Sequence, residues 1–143
     1  MTLISRLRRE ETGSTSVFAI CVAAVLMLLA GLCVDGGRVL NARATLTDTA
    51  EQAARAGAQK VQLSGLRQSG AVTLDPAAAR AAATTYLAST GSAGAASASV
   101  TTTGDTVTVT AEEDVPTFML SLVGMSTVHI TVTGSAEAES GIN

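Results

Sequence analysis

The sequence of 143 residues is poor in the residue types from which most catalytic and metal sites are built. It has a single histidine, His129, so a multi-histidine zinc site cannot form and a catalytic triad would depend on this one residue. A glycine-rich phosphate-binding loop is also missing, because the segment GSAG at residues 91–94 is short and lacks a lysine. We therefore expect a protein that is not an enzyme, with no cofactor and no small-molecule substrate.

The only two cysteines, Cys21 and Cys33, exclude an internal disulfide framework. Both lie in one apolar segment, where twelve residues of helix separate their α-carbons by about 18 Å, whereas a disulfide needs about 7 Å or less. Two roles stay open for them: small apolar side chains, or an intermolecular bond.

Positive charge is also scarce. Residues 35–143 carry six basic and ten acidic side chains, a net charge of −4. Because nucleic-acid binding depends on a basic surface, we expect no nucleic-acid partner. The acidic residues 112–114 lack the alternating ligands and central glycine of a calcium loop, which favours a solvated turn over a metal site.

One segment differs from the rest of the chain. Residues 17–34, VFAICVAAVLMLLAGLCV, are eighteen consecutive uncharged and mostly apolar residues. As an α-helix they would extend about 27 Å, close to the hydrocarbon thickness of a bilayer. We therefore predict a single membrane-spanning helix, preceded by a leader of residues 1–16.

The charges beside this span predict its orientation. Three arginines lie in the leader, whereas Arg38 and Arg43 follow the span. Positive residues favour the cytoplasmic side, and the leader is short. We expect a single-pass protein of the cell membrane with a cytoplasmic N-terminus, whose residues 35–143 are periplasmic or extracellular.

A cleavable signal peptide is the main alternative for the apolar segment, and it would release a secreted protein. The apolar part of a signal peptide is usually about 7–15 residues long and is followed by small residues at the cleavage site. Here the run ends in Leu32-Cys33-Val34-Asp35, and bulky Leu32 also disfavours a lipoprotein anchor at Cys33. An uncleaved anchor is the better interpretation.

Helical periodicity continues beyond the membrane. In residues 35–63 small and apolar side chains recur at intervals of three, four and seven positions, which predicts that the span extends into a long outer helix. Gly36-Gly37 at the exit favours a bend or hinge. Ala53 and Gly57 lie on the small-residue stripe, which packs either against its own domain or against other helices in an assembly.

Further positions on the predicted helix are candidates for contacts in an assembly. Ala19 and Ala23 are four residues apart, as in the small-residue pairs that let membrane helices pack closely. Asp35 lies at the membrane boundary, one turn before Arg38. It either forms an interfacial ion pair with Arg38 or helps to align a partner.

Residues 64–139 predict a small α+β domain, followed by a disordered tail at residues 140–143. Asp75-Pro76 predicts the N-cap and first position of a helix, and Gly104-Asp105 predicts a hairpin turn. After a loop that contains Gly65 and Ser69-Gly70, the predicted elements are a helix over 76–89, a flexible break at GSAG, strands over 96–103 and 105–112, a short helix over 115–124 and a strand over 127–134.

The fold class that follows is α+β. A single membrane helix continues into a long helix, which packs with a second helix on a small antiparallel sheet. Residues 118–123 are the most hydrophobic stretch outside the span. Either they cap the sheet as part of its core, or they form a patch that touches the bilayer surface or a partner.

Residues 13–58, GSTSVFAICVAAVLMLLAGLCVDGGRVLNARATLTDTAEQAARAGA, closely resemble the N-terminal module of TadE/TadG-like pilus-assembly proteins of the Flp (tight adherence) system. The shared features are an arginine-rich leader, a Gly-Ser step before the span, the segment Asp35-Gly36-Gly37-Arg38, and a helix that ends in Ala56-Gly57-Ala58. The predicted architecture, a long N-terminal helix on a small antiparallel sheet, also resembles that of pilins and pseudopilins.

The resemblance implies a non-enzymatic function. It implies a membrane-anchored, pseudopilin-like or TadG-like structural component of Flp pilus assembly or anchoring. Its partners would be the lipid bilayer and other pilus-assembly membrane proteins or pseudopilins. A membrane-tethered extracellular binding domain unrelated to pili is the alternative, beside the secreted protein considered above.

Gly13 and Ser14 occupy the position at which pilins and TadE-like pseudopilins are cleaved. In those proteins a glutamate follows five residues after the glycine, where this chain has Phe18. The chain therefore lacks the carboxylate that in pilins can pair with the new amine of a neighbouring subunit. We expect an uncleaved, TadG-like anchor in which residues 13–16 form a flexible lead-in to the membrane helix.

Overall fold

The structure is a computed structural model that describes residues 4–60 and 74–138. Three predictions lie outside these residues: the last part of the outer helix at residues 61–63, most of the loop before the second helix, and the tail at residues 140–143.

The described residues form an α+β fold, as predicted. Helix α1 (Ile4–Ala58) is followed by α2 (Pro76–Thr90) and the short helix α3 (Ala93–Ala96). The strands β1 (Ser99–Thr103), β2 (Thr106–Pro116) and β3 (Thr127–Glu137) form an antiparallel sheet in the order β1-β2-β3, with a 3₁₀ turn (Leu120–Val123) between β2 and β3.

Helix α1 begins earlier than the sequence predicts. It starts at Ile4 and includes residues 13–16, so the flexible lead-in expected there is wrong. It also passes through Gly36 and Gly37 as continuous α-helix. A glycine inside a helix costs about 1 kcal/mol relative to alanine, which is too little to interrupt a long helix that continues on both sides of it.

The described residues pack into two units. The first unit holds α1 up to Gly37 together with residues 117–126. The second unit holds α1 from Arg38 onward, together with α2, α3 and the three strands.

The core of the second unit combines small residues of α1 with branched residues of the sheet. Its members are Leu46, Ala50, Ala53, Ala54, Ala83, Leu87, Val109, Ala111, Val115, Ile130 and Val132. Because the alanines are small, α1 approaches β3 closely, and an added Cβ at Gly134 would lie 2.5 Å from the carbonyl carbon of Ala50. Glycine is therefore required where this strand crosses the helix.

Local sequence signals account for the ends of α2 and for the hairpin. Asp75 is the N-cap of α2, and its Oδ1 accepts hydrogen bonds from the N–H groups of Ala77 and Ala78, each at 3.0 Å. Gly91 follows the helix with a left-handed φ of 63°. Gly104, with φ of 59°, lies in the turn between β1 and β2. The predicted N-cap and turn are both confirmed.

The predicted short helix over residues 115–124 is wrong in its first half. Pro116 instead ends β2, where it pairs with Thr127 of β3. Proline is tolerated there because β1 pairs only with residues 106–110 of β2. Within residues 4–60 and 74–138, the other edge of β2 therefore has no strand partner at Pro116. Only the 3₁₀ turn Leu120–Val123 is helical.

Four other elements differ from the prediction. Strand β1 begins at Ser99 rather than at residue 96, because residues 93–96 form α3. Strands β2 and β3 extend to Pro116 and Glu137, because they pair continuously from Thr106 opposite Glu137 to Pro116 opposite Thr127. The break expected at GSAG contains the start of α3, whose N-cap position is occupied by Ser92.

Candidate functional site

The surface of α1 between residues 17 and 34 is apolar and mostly exposed. Within residues 4–60 and 74–138, α1 is the one helix long and apolar enough to cross a membrane. Large side chains such as Phe18, Leu26 and Met27 have more than half of their surface exposed. Such a surface is unfavourable in water and suits the hydrocarbon region of a bilayer. It indicates that α1 anchors the chain in a membrane.

Asp35 lies at the end of this segment and is buried, with 1% of its surface exposed. Its Oδ1 accepts a hydrogen bond from the backbone N–H of Phe118 at 2.9 Å. Its Oδ2 accepts hydrogen bonds from the N–H groups of Met119 and Leu120, each at 2.8 Å. Three consecutive amides thus converge on one carboxylate, an arrangement that stabilises negative charge. These three donors lie 83 to 85 residues further along the chain than Asp35.

Residues 117–126, which we call the apolar loop, are also organised by hydrogen bonds among themselves. The N–H of Thr117 donates to the carbonyl of Ser126 at 3.0 Å and closes the base of the loop. Three further backbone bonds of 3.0–3.1 Å lie inside it, donated by the N–H groups of Leu122, Gly124 and Met125. Four N–H groups of the loop are therefore paired internally, and three more are paired with Asp35.

Gly31 allows the apolar loop to lie directly against α1. An added Cβ at Gly31 would overlap the Cγ atom of Met119 and would lie 2.6 Å from its Cβ. Beside this contact is a groove of about 350 Å³ between helix and loop. Its walls are almost entirely apolar and are formed by Val25, Leu28, Leu29, Leu32, Met119, Leu120 and Val123.

The outer surface of the apolar loop is hydrophobic. Phe118 is 71% exposed and Leu122 is 74% exposed, and Val123 and Met125 are also more than half exposed. Residues 117–126 include no charged side chain. Of the two alternatives that the sequence left open, sheet core or surface patch, the structure supports the patch.

The small-residue candidates on α1 fall into two groups. Ala53 and Gly57 are buried inside the second unit. An added Cβ at Gly57 would lie 2.9 Å from the carbonyl oxygen of Ala79, so this part of the stripe packs within the chain. Ala19 and Ala23 are exposed on the span and are accessible to another helix.

The remaining candidates also lie on α1. Arg38 is exposed. Gly13 and Ser14 lie within helical backbone. Cys21 and Cys33 are free thiols exposed on the apolar segment.

His129 belongs to a polar cross-strand cluster. Its Nδ1 is 2.9 Å from Oδ1 of Asp114, and its Nε2 is 3.8 Å from Oε2 of Glu112. All three side chains are about half exposed or more, so these are solvated contacts. In the part of the chain that the structure describes, no group of three or more His, Cys, Asp or Glu residues is placed to hold a metal.

The sequence interpretation missed Gly31 and the contact between α1 and the apolar loop. Two signals were present: a glycine inside an otherwise bulky apolar segment, and an uncharged apolar stretch at residues 117–126. Neither signal alone shows that the two segments meet.

Most of α1 falls within a segment that matches a known protein family. Comparison with curated proteins and with solved structures gave no match. Residues 13–60, which include the apolar segment, Asp35 and the part of α1 that packs in the second unit, match a family model. The family is described as putative Flp pilus-assembly TadE/G-like, which supports a role in Flp pilus assembly and confirms the resemblance of this N-terminal module to TadE/TadG-like proteins.

Proposed function

We propose that the chain is a membrane-anchored structural component of Flp-type pilus assembly, TadG-like in keeping its N-terminal leader. One observation carries the proposal: the family match begins at residue 13, runs through the apolar segment and continues to residue 60. Helix α1 covers almost all of this stretch without a break. The matched module is thus one helix that supplies both a membrane anchor and a core element of a folded domain.

The architecture of the second unit also supports a pseudopilin-like component. Helix α1 contributes Leu46, Ala50 and Ala53 to a core shared with an antiparallel sheet. A long N-terminal helix packed on such a sheet is the arrangement that pilins and pseudopilins share. The proposed role is structural, and the solvated state of the polar cluster at His129 supports it.

The orientation that we propose places the N-terminus in the cytoplasm and the second unit outside the cytoplasm. Three arginines precede the apolar segment, and Arg38 and Arg43 follow it. The positive-inside rule favours retention of the arginine-rich leader.

For association with other membrane proteins of the pilus machinery, we propose the face of α1 that carries Ala19 and Ala23. Ala53 and Gly57 are occupied within the second unit, whereas Ala19 and Ala23 are exposed. Small residues four positions apart let a second membrane helix approach closely. The partners would be other pilus-assembly membrane proteins or pseudopilins.

Deletion of the gene tests the proposal. Cells without the protein should assemble fewer or no Flp pili, and the intact gene should restore them. A variant with Ala19→Leu and Ala23→Leu should restore pili poorly at equal protein level, whereas the control Val22→Leu should restore them fully. Unchanged piliation after deletion would overturn the proposed function.

Protease added to spheroplasts tests the orientation, since it should digest residues 35–143. Full protection of that portion would reverse the proposed orientation.

A further inference from the structure

We propose that the apolar loop inserts into the lipid on the non-cytoplasmic side of the membrane, beside the second half of the span. It would form a second membrane contact of the chain, separate from the span itself. The inference rests on the membrane anchoring of α1 in the proposed function, and the experiment below separates the two.

The first argument is depth. The residues of α1 that line the groove with the loop run from Val25 to Leu32. If residues 17–34 cross the membrane, Val25 lies near the middle, and about 14 Å of helix separates it from Val34. Side chains packed against Val25 and Leu28 are therefore at the depth of the acyl chains. Because Met119, Leu120 and Val123 form the other wall of the groove, the loop reaches this depth with them.

The second argument is the surface that the loop presents. Phe118, Leu122, Val123 and Met125 are all more than half exposed, and residues 117–126 carry no charge. This surface continues the exposed apolar surface of the span, which includes Leu28. Lipid chains that cover the span would cover the loop and the groove as well.

The third argument is the backbone. Irregular backbone is unfavourable in hydrocarbon because unpaired N–H and C=O groups lose their hydrogen bonds to water. In the apolar loop, four N–H groups are paired internally and three are paired with Asp35. The hydroxyl groups of Thr117 and Ser121 are also satisfied, by the carbonyls of Met125 and Phe118. Asp35 thus accepts three hydrogen bonds from loop N–H groups that water would otherwise accept.

The burial of Asp35 fits the same interpretation. A carboxylate near a bilayer is costly unless it is paired or hydrogen-bonded. Asp35 is 1% exposed and accepts three backbone hydrogen bonds, so its charge is compensated by the loop that it holds. The carboxylate can therefore lie at the edge of the membrane, while the loop that it holds extends from there to the depth of the acyl chains.

The absence of tryptophan from the chain allows a direct test. Single variants Phe118→Trp and Leu122→Trp place one fluorophore on the exposed side of the loop. Phe18→Trp places it on the span, and Thr103→Trp places it on an exposed position of β1. The full chain is reconstituted into phosphatidylcholine vesicles that contain lipids brominated on the acyl chains, and the loss of tryptophan fluorescence is measured.

We expect brominated lipids to reduce the fluorescence of Phe118→Trp, Leu122→Trp and Phe18→Trp, but not that of Thr103→Trp. If Phe18→Trp is quenched while both loop variants behave like Thr103→Trp, the loop lies outside the lipid and this inference is wrong, although α1 still anchors the chain. If the loop variants resist both brominated lipid and aqueous iodide, protein covers the loop, which also overturns the inference. Lack of quenching at Phe18→Trp would overturn the membrane anchoring itself.

Discussion

The Oδ2 atom of Asp35 lies 2.8 Å from the backbone nitrogen of Met119, although 84 residues separate the two in the chain. One helical turn earlier, Gly31 leaves the space that the side chain of the same Met119 occupies. A single turn of α1 therefore both binds the backbone of the apolar loop and accommodates its side chain. Substitutions at Asp35 and Gly31 test these two contributions separately.

Asp35→Ala should release the apolar loop from α1. The substitution leaves the N–H groups of Phe118, Met119 and Leu120 without their carboxylate. Hydrogen bonds to a charged group contribute about 1.5–3 kcal/mol each, so we expect local stability to fall by at least about 3 kcal/mol, equivalent to ~100-fold or more faster amide exchange. Hydrogen–deuterium exchange of the variant protein, followed on a proteolytic peptide that covers residues 117–126, measures this loss of protection.

The matched control for this change is Asp48→Asn. Asp48 is an exposed residue of the same helix whose carboxylate accepts a hydrogen bond from Gln52 at 2.7 Å. Its substitution should leave exchange in the apolar loop unchanged. Equal exchange in wild type and Asp35→Ala would show that the carboxylate does not hold the loop.

Gly31→Ala should loosen the same loop by a steric route. The added Cβ would overlap Met119, and the Cβ of Met119 is too close to the backbone to move alone, so the loop must shift. At Gly36 the same substitution meets no atom within 4 Å in the part of the chain that the structure describes. Gly36→Ala should therefore only strengthen the helix, by about 1 kcal/mol.

Amide exchange of residues 117–126 in these two variants provides the measurement. It should be faster in Gly31→Ala and unchanged in Gly36→Ala. If Gly31→Ala protects the loop as well as wild type does, close contact between Gly31 and Met119 is not required.

Gly57→Leu should destabilise the second unit. An added Cβ there would lie 2.9 Å from the carbonyl oxygen of Ala79 and 3.0 Å from Val107, and a leucine would need still more space. Overpacking of this kind costs about 1–3 kcal/mol or more. Gln59 is exposed, so Gln59→Leu should change stability by less than about 0.5 kcal/mol. Thermal unfolding of the detergent-solubilised protein measures the stability of both variants. Equal melting temperatures for Gly57→Leu and Gln59→Leu would place Gly57 outside the core.

Gly134→Ala tests the contact between β3 and α1. The methyl group would lie 2.5 Å from the backbone of Ala50 and Glu51, which cannot move without shifting the helix. We expect a loss of about 1–3 kcal/mol in unfolding free energy. Ser135→Ala, one residue further and exposed, is the control and should be nearly neutral. A wild-type melting temperature for Gly134→Ala would contradict this close approach.

The elements that the sequence predicts well are those set by neighbouring residues. Asp75 caps α2 through amides two and three positions away, and Gly104 turns the hairpin through its own φ. The periodicity of α1 and of β3 likewise depends on local spacing. Such signals lie within one window of sequence, which is why the α+β class follows from them.

The contacts that the sequence does not predict are those between distant segments. Asp35 and Phe118 are 83 residues apart, and nothing near either of them identifies the other. Pro116 falls within the short helix predicted over residues 115–124. Its place in β2 depends on where β1 stops pairing, which the neighbouring residues do not show. For residues 118–123 the sequence allows two alternatives, because an apolar run has the same sequence signature in a core and on a membrane-facing surface.

The last prediction concerns the bond between Gly13 and Ser14. We expect it to be intact in the protein extracted from membranes. Phe18 occupies the position where pilins and TadE-like pseudopilins have a glutamate, and both Gly13 and Ser14 lie within α1. A peptidase must open helical backbone locally before it can cleave it, which adds a free-energy cost to cleavage at this site. Intact-mass measurement should give a species that retains the leader arginines, with a processed pilin from the same cells as the positive control for peptidase activity. A species that begins at Ser14 would show pseudopilin-type processing and would contradict the uncleaved, TadG-like anchor.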